Sequence, residues 1–345
     1  AIILSAVLGW DLNTLNIIIG VLVIIYTVTG GTKAVSVTQK QQMAVIFFGM
    51  FVAFYLIVIY FPADITFSKA LKIAGASGKM EVLDFSFNFE NRYTFWSGII
   101  GGSFLALSYF GTDQSQVQRY LSGKSMKEMQ LGLIFNGLLK VPMQFFILLV
   151  GVMVFVFYQF NASPLNFNPA SNTAVKNSIY AEDYKDLQNK HSKIEQLKSV
   201  ANLNYGIALD NENNSIQLEN SVKEIQALNL LELENREQAK EIIKKANALV
   251  ETNDKDYVFI HFILNNLPRG LIGLLLAVIL SAAMSSTASE LTALSSPTVI
   301  LFYKRNEKTL QYDRHYVKVS KLFTLLWGIL AINFSCFDNL FAYLI

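Results

Sequence analysis

Long stretches without a charged side chain recur along the chain, and the charged residues crowd between them. Met43–Phe61, Phe95–Thr112, Val141–Asn161, Leu271–Ser289 and Leu322–Phe337 carry no Asp, Glu, Lys or Arg over 19, 18, 21, 19 and 16 residues. About 20 apolar residues of helix cross a bilayer core. In lipid the backbone must satisfy its own hydrogen bonds, so such runs read as helices. One run alone is as well explained by a buried core helix, but five in one chain favour the membrane. Leu15–Thr29, closed by Gly30–Gly31, adds a shorter span. The expected spans are 15–29, 43–61, 95–111, 131–158, 270–289 (with a continuation to Tyr303 left open) and 317–337. Residues 1–10 read as the tail of a helix, and the last few residues as the start of another. Both ends of the sequence thus look cut through membrane segments.

Composition sharpens this only through its distribution. The averages, 52% hydrophobic and 16% charged with mean hydropathy +0.37, also suit an apolar soluble protein. A net charge of +2 gives no sign of a nucleic-acid partner. The N-terminus has no basic region ahead of its apolar residues and is not a signal peptide. The lone Cys336 sits in an apolar run, reads as lipid-facing or core packing, and has no partner for an internal disulfide. Basic residues set the orientation. Loops 30–42, 112–130 and 304–321 carry Lys33, Lys40, Arg119, Lys124, Lys127, Lys304, Arg305, Lys308, Arg314, Lys318 and Lys321, so this side is expected to be cytoplasmic.

Residues 159–258 break the pattern. They hold 11 Lys/Arg against 15 Asp/Glu and are rich in Asn and Gln. Between Ile216 and Val250, apolar residues at 225, 228, 231, 239, 242, 243, 246 and 249 recur near helical spacing. Glu232, Glu237 and Glu241 lie three or four residues from Arg236, Lys240 and Lys245, the spacing of ion pairs on a solvated helix. The expected organisation is a first membrane part at 1–158, an extracytoplasmic insertion at 159–258 and a second membrane part at 259–345. A helical hairpin fits the insertion, and so does a partly disordered segment.

Small residues concentrate at Ser281, Ala282, Ala283, Ser285, Ser286, Ala288 and Ser289. Small residues let membrane helices approach closely, with hydroxyls bonding across the interface. The same residues also suit a hard cation, which takes oxygen ligands. The Ala282 carbonyl lies one turn before the hydroxyls of Ser285 and Ser286, so one helix offers three oxygens. The residues alone leave both readings open.

Four stretches together carry a resemblance. They are YTVTGGTKAVSVTQKQQ (26–42), SYFGTDQSQVQRYL (108–121), NNLPRGLIGLLLA (265–277) and AAMSSTASELTALSS (282–296). In this order they resemble the sodium:solute symporter family, whose members include the sodium/glucose, sodium/proline and sodium/sialic acid transporters. The resemblance implies an all-α polytopic membrane protein. Its architecture would be a LeuT-type inverted-repeat helix bundle, with substrate near the midplane. This chain would hold about core helices 3–10 together with the polar helical insertion.

The resemblance also implies roles. Ala282, Ser285 and Ser286 would be half of a Na⁺ site, with the other half on the family's broken first helix, outside this sequence. Tyr109 would cover the substrate from the cytoplasmic side, where an aromatic face suits a sugar ring or another flat apolar face. Lys140 has no acid within ten residues. A lysine inside a membrane helix is either functional or snorkels to the interface. In sugar-transporting relatives a lysine at a similar spacing contacts substrate. Asn136 and Gln144, one turn either side, would extend a polar stripe, and Ser289 would line the cavity. Asp113, Gln114 and Arg119 read as a cytoplasmic gating network. Gln39 stands where the family carries an Asp that helps sodium leave, so release or ion preference should differ. Ala106 replaces a polar contact of sugar transporters, which leaves organic acids and amino acids open.

His191, His261 and His315 are scattered through loops or helix ends without metal spacing. No enzymatic motif is present. The expected function is Na⁺-coupled symport of a small organic solute by alternating access, with Na⁺ as the coupling ion. The protein is expected to act as a monomer in a cell membrane, a bacterial inner membrane by preference, with no nucleic-acid partner. The alternative is a transporter-like sensor domain that signals solute availability.

Overall fold

The computed structural model describes residues 12–81, 84–87, 94–121, 123, 125–210, 215–247, 250, 252–306 and 312–341, with side chains described along them except at 12, 31–38, 119, 306 and 336–341. The described residues form helices joined by turns. In order these are α1 (Leu12–Ile59), α2 (Phe67–Ala76), α3 (Phe95–Leu107), α4 (Gln114–Leu121), α5 (Met126–Phe160), α6 (Pro169–Lys176), α7 (Ala181–Ala208), α8 (Ser215–Ala246), α9 (Lys255–Asn266), α10 (Arg269–Pro297), α11 (Lys304–Asn306) and α12 (Asp313–Phe341). α3 ends in a π-helical turn, Ser108–Thr112, and α10 in another, Thr298–Tyr303.

Five stretches are long and apolar enough to cross a membrane: Asn13–Gly30, Gln39–Ile59, Met126–Phe160, Arg269–Tyr303 and Asp313–Ser335. At most 28% of each is buried within the chain. Phe51 and Phe145 on these spans, for example, are 57% and 67% exposed. Exposed apolar surface on this scale needs lipid or further protein to cover it. The run at 270–289 does continue to Tyr303.

Two expectations are corrected. The loop expected at 30–42 is helical, so the first two spans lie on one helix of 48 residues. The reason is local: 30–42 holds no proline, and two glycines cost a helix only about 1 kcal/mol each. The loop expected at 304–321 is shorter, because α12 begins at Asp313 and already includes Arg314, Lys318 and Lys321. The helices expected in 1–10 and 342–345, and the packing of Cys336, lie outside the described residues.

The chain divides into two compact units, Ala1–Phe48, Phe87–Lys140 and Gly273–Ile345 forming one and Gly49–Ser86 and Val141–Ile272 the other. In the first, Val23 and Ile24 of α1 pack on Ala288 and Leu291 of α10, with Trp327 and Ile332 of α12 against them. Glycine permits this approach. A Cβ at Gly20 would lie 2.6 Å from Ile332 Cγ1, and one at Gly328 2.5 Å from Ile24 Cγ1. These are small-residue contacts of the kind membrane helices use.

In the second unit α7 and α8 pack against one another as a hairpin. Leu165, Val175, Tyr184, Ala239 and Ile243 form its core. A helical hairpin therefore replaces the open choice between hairpin and disorder. Glu237 and Lys240 make the expected exposed pair at 2.7 Å. Glu232 is corrected: it is not on a solvated face. Its carboxylate takes Arg236 at 2.9 Å and the ammonium of Lys198, which is only 4% exposed. Burial alone would raise the Glu232 pKa, but Lys198 and Arg236 hold it down at about 2. Arg236 also donates to the Leu165 carbonyl at 2.9 Å and to Ser163 Oγ at 3.2 Å, tying the hairpin to the segment after α5.

Candidate functional site

The small-residue stretch lies in the middle of α10. Ser286 Oγ donates to the Ala283 carbonyl at 3.1 Å and reaches the Ala282 carbonyl at 3.3 Å. Ser289 Oγ donates to the Ser285 carbonyl at 3.1 Å, one turn on. Hydroxyls that bond back into their own helix are the usual outcome for serine in such a setting. Ser285 differs. It is 2% exposed and its hydroxyl has no hydrogen-bond partner. Buried polar atoms are nearly always partnered, so an orphan calls for an explanation such as an ion. The hydroxyl of Ser285 fits a cation ligand on this ground, and the Ala282–Ser286 pair adds two oxygens close together.

A contact absent from the sequence reading braces this stretch. Gln42 of α1 donates through Nε2 to the Ser281 carbonyl at 3.1 Å and to Ser281 Oγ at 2.5 Å. Gln42 closes the 26–42 motif, and that position was the signal available. Gln39, the residue in place of an acid, lies one turn earlier on the same helix.

Tyr109 sits in the π turn after α3, closed by Asp113 N–H donating to the Ser108 carbonyl at 2.9 Å. Such turns widen a helix by one residue and recur at functional sites. The Lys140 ammonium lies 5.0 Å from the centre of the Tyr109 ring. The structure thus brings together two residues that the resemblance named for the substrate region. Lys140 is fourteen residues into α5, about 21 Å along the helix at 1.5 Å per residue. Among the described residues no carboxylate pairs with it, and the aromatic face takes the charge instead. Tyr120, which sequence reasoning passed over, donates its hydroxyl to the Tyr109 carbonyl at 3.1 Å.

Asn136 lies half-buried one turn before Lys140, and Gln144 is exposed one turn after it. Pro142 falls between Lys140 and Gln144 and leaves the Leu138 carbonyl without its helical donor. Asp113 accepts from the Ser115 N–H at 2.9 Å and Ser115 Oγ at 2.7 Å, which caps the start of α4. Gln114 is exposed at the first position of α4, and the Arg119 side chain lies outside the described residues.

The histidines are not at loops or helix ends as a set. His191 is buried in the middle of α7 against Ser163, and His261 within α9 pairs with the Tyr158 hydroxyl at 2.8 Å. His315, in the first turn of α12, meets the Tyr303 hydroxyl at 2.9 Å. Among the described residues no group of His, Cys, Asp and Glu could hold a metal ion.

A profile of the sodium:solute symporter family matches residues 1–187 and 239–340. The chain belongs to the sodium:solute symporter family. The unmatched stretch, 188–238, covers most of the α7–α8 hairpin, so the hairpin is largely an addition to what members of the family share. Over 160 residues the chain is 32% identical to the sodium/iodide cotransporter of Homo sapiens, covering 46% of this chain and 24% of that protein. It is 36% identical over 136 residues to sodium-coupled monocarboxylate transporter 1 of Homo sapiens, covering 39% and 22%. With the sodium-dependent multivitamin transporter of Oryctolagus cuniculus it shares 32% over 161 residues, covering 45% and 24%. These matches span under a quarter of the length of each curated relative.

Among solved structures, the substrate-bound outward-open state of a Na⁺-coupled sialic acid symporter superposes with a TM-score of 0.63 at 20% identity. That alignment covers 99% of this chain and 54% of the symporter. The all-α, LeuT-type fold expected from the motifs is thereby shown. The chain is part of a multi-pass membrane protein of this symporter family.

Proposed function

We propose that the protein is a secondary active transporter that couples Na⁺ to the uptake of a small organic solute. The observation that carries this is the buried, unpartnered hydroxyl of Ser285, which in sequence follows Ala282 by one helical turn and directly precedes Ser286. Na⁺ would take the Ala282 carbonyl and the Ser285 and Ser286 hydroxyls from α10 and complete its shell from a helix elsewhere in the protein. The solute would lie over Tyr109 and near Lys140, whose ammonium could leave the ring face for an anionic or hydroxyl group. Asn136, Gln144 and Ser289 would extend that polar surface. Gln114 and Arg119 would belong to the cytoplasmic gate, beside the α4 cap made by Asp113.

Coupling follows from linkage. If Na⁺ and solute both stabilise one conformation, each raises the affinity of the other by the same factor. Three relatives whose names specify iodide, monocarboxylates and vitamins leave the solute open. The lysine without a paired acid favours an anion or a polyhydroxylated solute. Gln39 in place of an acid would alter Na⁺ release toward the cytoplasm. The hairpin would lie on the extracytoplasmic side, opposite the basic segments at 304–321.

Uptake by vesicles containing the full-length protein tests the proposal. The panel is monocarboxylates, sialic acid, hexoses and amino acids, each with and without an inward Na⁺ gradient. At least one solute should accumulate only with the gradient. Accumulation equal under a K⁺ gradient would refute Na⁺ coupling.

A further inference from the structure

We infer that a pocket at the base of the polar hairpin is a second ligand site, separate from the transport path, for a small organic anion with an apolar flank. The cavity measures about 570 Å³ and lies between the α2–Lys79 turn, Phe155 of α5 and the face of α8 that carries Leu230, Leu233 and Arg236. Ligand pockets run from about 300 to 1,000 Å³ with apolar walls and a few convergent polar groups. This one has that composition, and all its lining residues belong to one compact unit.

Backbone geometry delivers the cationic group. α2 ends at Ala76, and Gly78 adopts φ +70°, a left-handed conformation that glycine takes without strain. Gly78 N–H donates to the Gly75 carbonyl and Lys79 N–H to the Ala74 carbonyl, both at 2.9 Å. This is a Schellman cap. It turns the chain so that Lys79 emerges at the pocket, with its ammonium 5.2 Å from the centre of the Phe155 ring. Gln226 of α8 donates to the Ala76 carbonyl at 3.4 Å and holds the two walls together.

Charge selects the ligand. Lys79 has no carboxylate partner among the described residues. Glu232 also lines the cavity, but its carboxylate is taken by Lys198 and Arg236. With Lys79 and Arg236 against Glu232, the wall is left net positive. A carboxylate would take the Lys79 ammonium, and Phe155, Leu230 and Leu233 would cover its apolar part. An inorganic anion would leave that apolar wall wet.

Most of this wall lies in 188–238, outside the match to the family, so the site would be particular to chains with this hairpin. None of its residues belongs to the proposed transport set, so the two readings fail separately. The test is binding of potassium benzoate to the purified full-length protein in Na⁺-free buffer, read by saturation-transfer NMR of the benzoate protons. Benzamide serves as the neutral isostere. Benzoate should bind saturably and benzamide should not. Lys79→Gln should weaken benzoate about tenfold, the scale of one charge-assisted hydrogen bond. Leu233→Trp, which puts an indole into the apolar wall, should weaken binding, and Lys140→Met should leave it unchanged. The proposal is overturned by no saturable binding, by equal binding of benzamide, by indifference to Lys79→Gln and Leu233→Trp, or by loss of binding in Lys140→Met.

Discussion

At the scale of single residues, Ser285 separates two explanations of one helix. If it were only a small packing residue, its hydroxyl would be a buried polar group with nothing to bond. Removing such a group relieves a desolvation penalty of about 1–3 kcal/mol. Ser285→Ala should therefore leave the thermal midpoint in Na⁺-free buffer unchanged or raised, and should lose the stabilisation that added Na⁺ gives the parent protein. Thermal unfolding with and without Na⁺ measures both. An equal Na⁺ response in parent and variant would assign Ser285 to packing alone. Lys140 calls for a kinetic test. Lys140→Met keeps the length and apolar stem but removes the charge over Tyr109. Apparent KM for the solute should rise about tenfold or more, the cost of one charge-assisted contact. Initial-rate uptake reads this directly, and an unchanged KM would mean that the ammonium only snorkels.

Elements show where sequence patterns were enough and where they were not. Charge-free runs of 15 to 21 residues located the five membrane-length stretches, because in lipid composition and length almost decide the structure, whereas the run Phe95–Thr112, expected as a span, forms only the 13-residue α3 and its π turn. The join at 30–42 was not legible. Polar residues and two glycines suggest a loop, yet none of them prevents the helix from continuing. The glycine contacts were equally hidden, since nothing local says that Gly20 meets Ile332 or Gly328 meets Ile24. Gly328→Leu should force α1 and α12 apart and destabilise the fold by about 1–3 kcal/mol, the usual cost of overpacking. A lowered thermal midpoint in detergent would show it.

The hairpin carries the clearest long-range surprise. Spacing predicted that Glu232 would pair with Arg236, and it does; the buried Lys198 from the other helix could not be foreseen. Holding Glu232 at about 2 instead of the ordinary 4.5 means that the folded hairpin binds fewer protons than the unfolded one between these values. That stability is complete above pH 4.5 and is lost as pH falls toward 2. The protection factors of α7 and α8 amides against hydrogen exchange should fall over this window. Lys198→Met, which leaves a buried carboxylate with only Arg236, should accelerate exchange already at pH 7.

For the whole molecule, four motifs in a fixed order carried the family, and the family match and the shared fold agree with them. Motif order is legible because it survives insertions such as the hairpin. The site was legible only as a roster. The family resemblance proposed Tyr109, and Lys140 stood out as a charge in an apolar run; folding placed the ammonium over the ring. Sequence spacing proposed Ser285 and Ser286 as equivalents, and folding buried one and left the other bonded to its own helix. Gln42 and Tyr120, which brace those two places, have their meaning only through contacts across helices. The central claim is that the oxygens of Ala282, Ser285 and Ser286 bind the Na⁺ that drives transport. It is tested most directly by the Na⁺ concentration dependence of solute uptake in proteoliposomes, comparing the full-length parent with Ser285→Ala/Ser286→Ala. The account predicts at least a tenfold rise in the Na⁺ concentration for half-maximal uptake, about 1.4 kcal/mol of lost binding. An unchanged Na⁺ dependence in a variant that still folds and transports would contradict it.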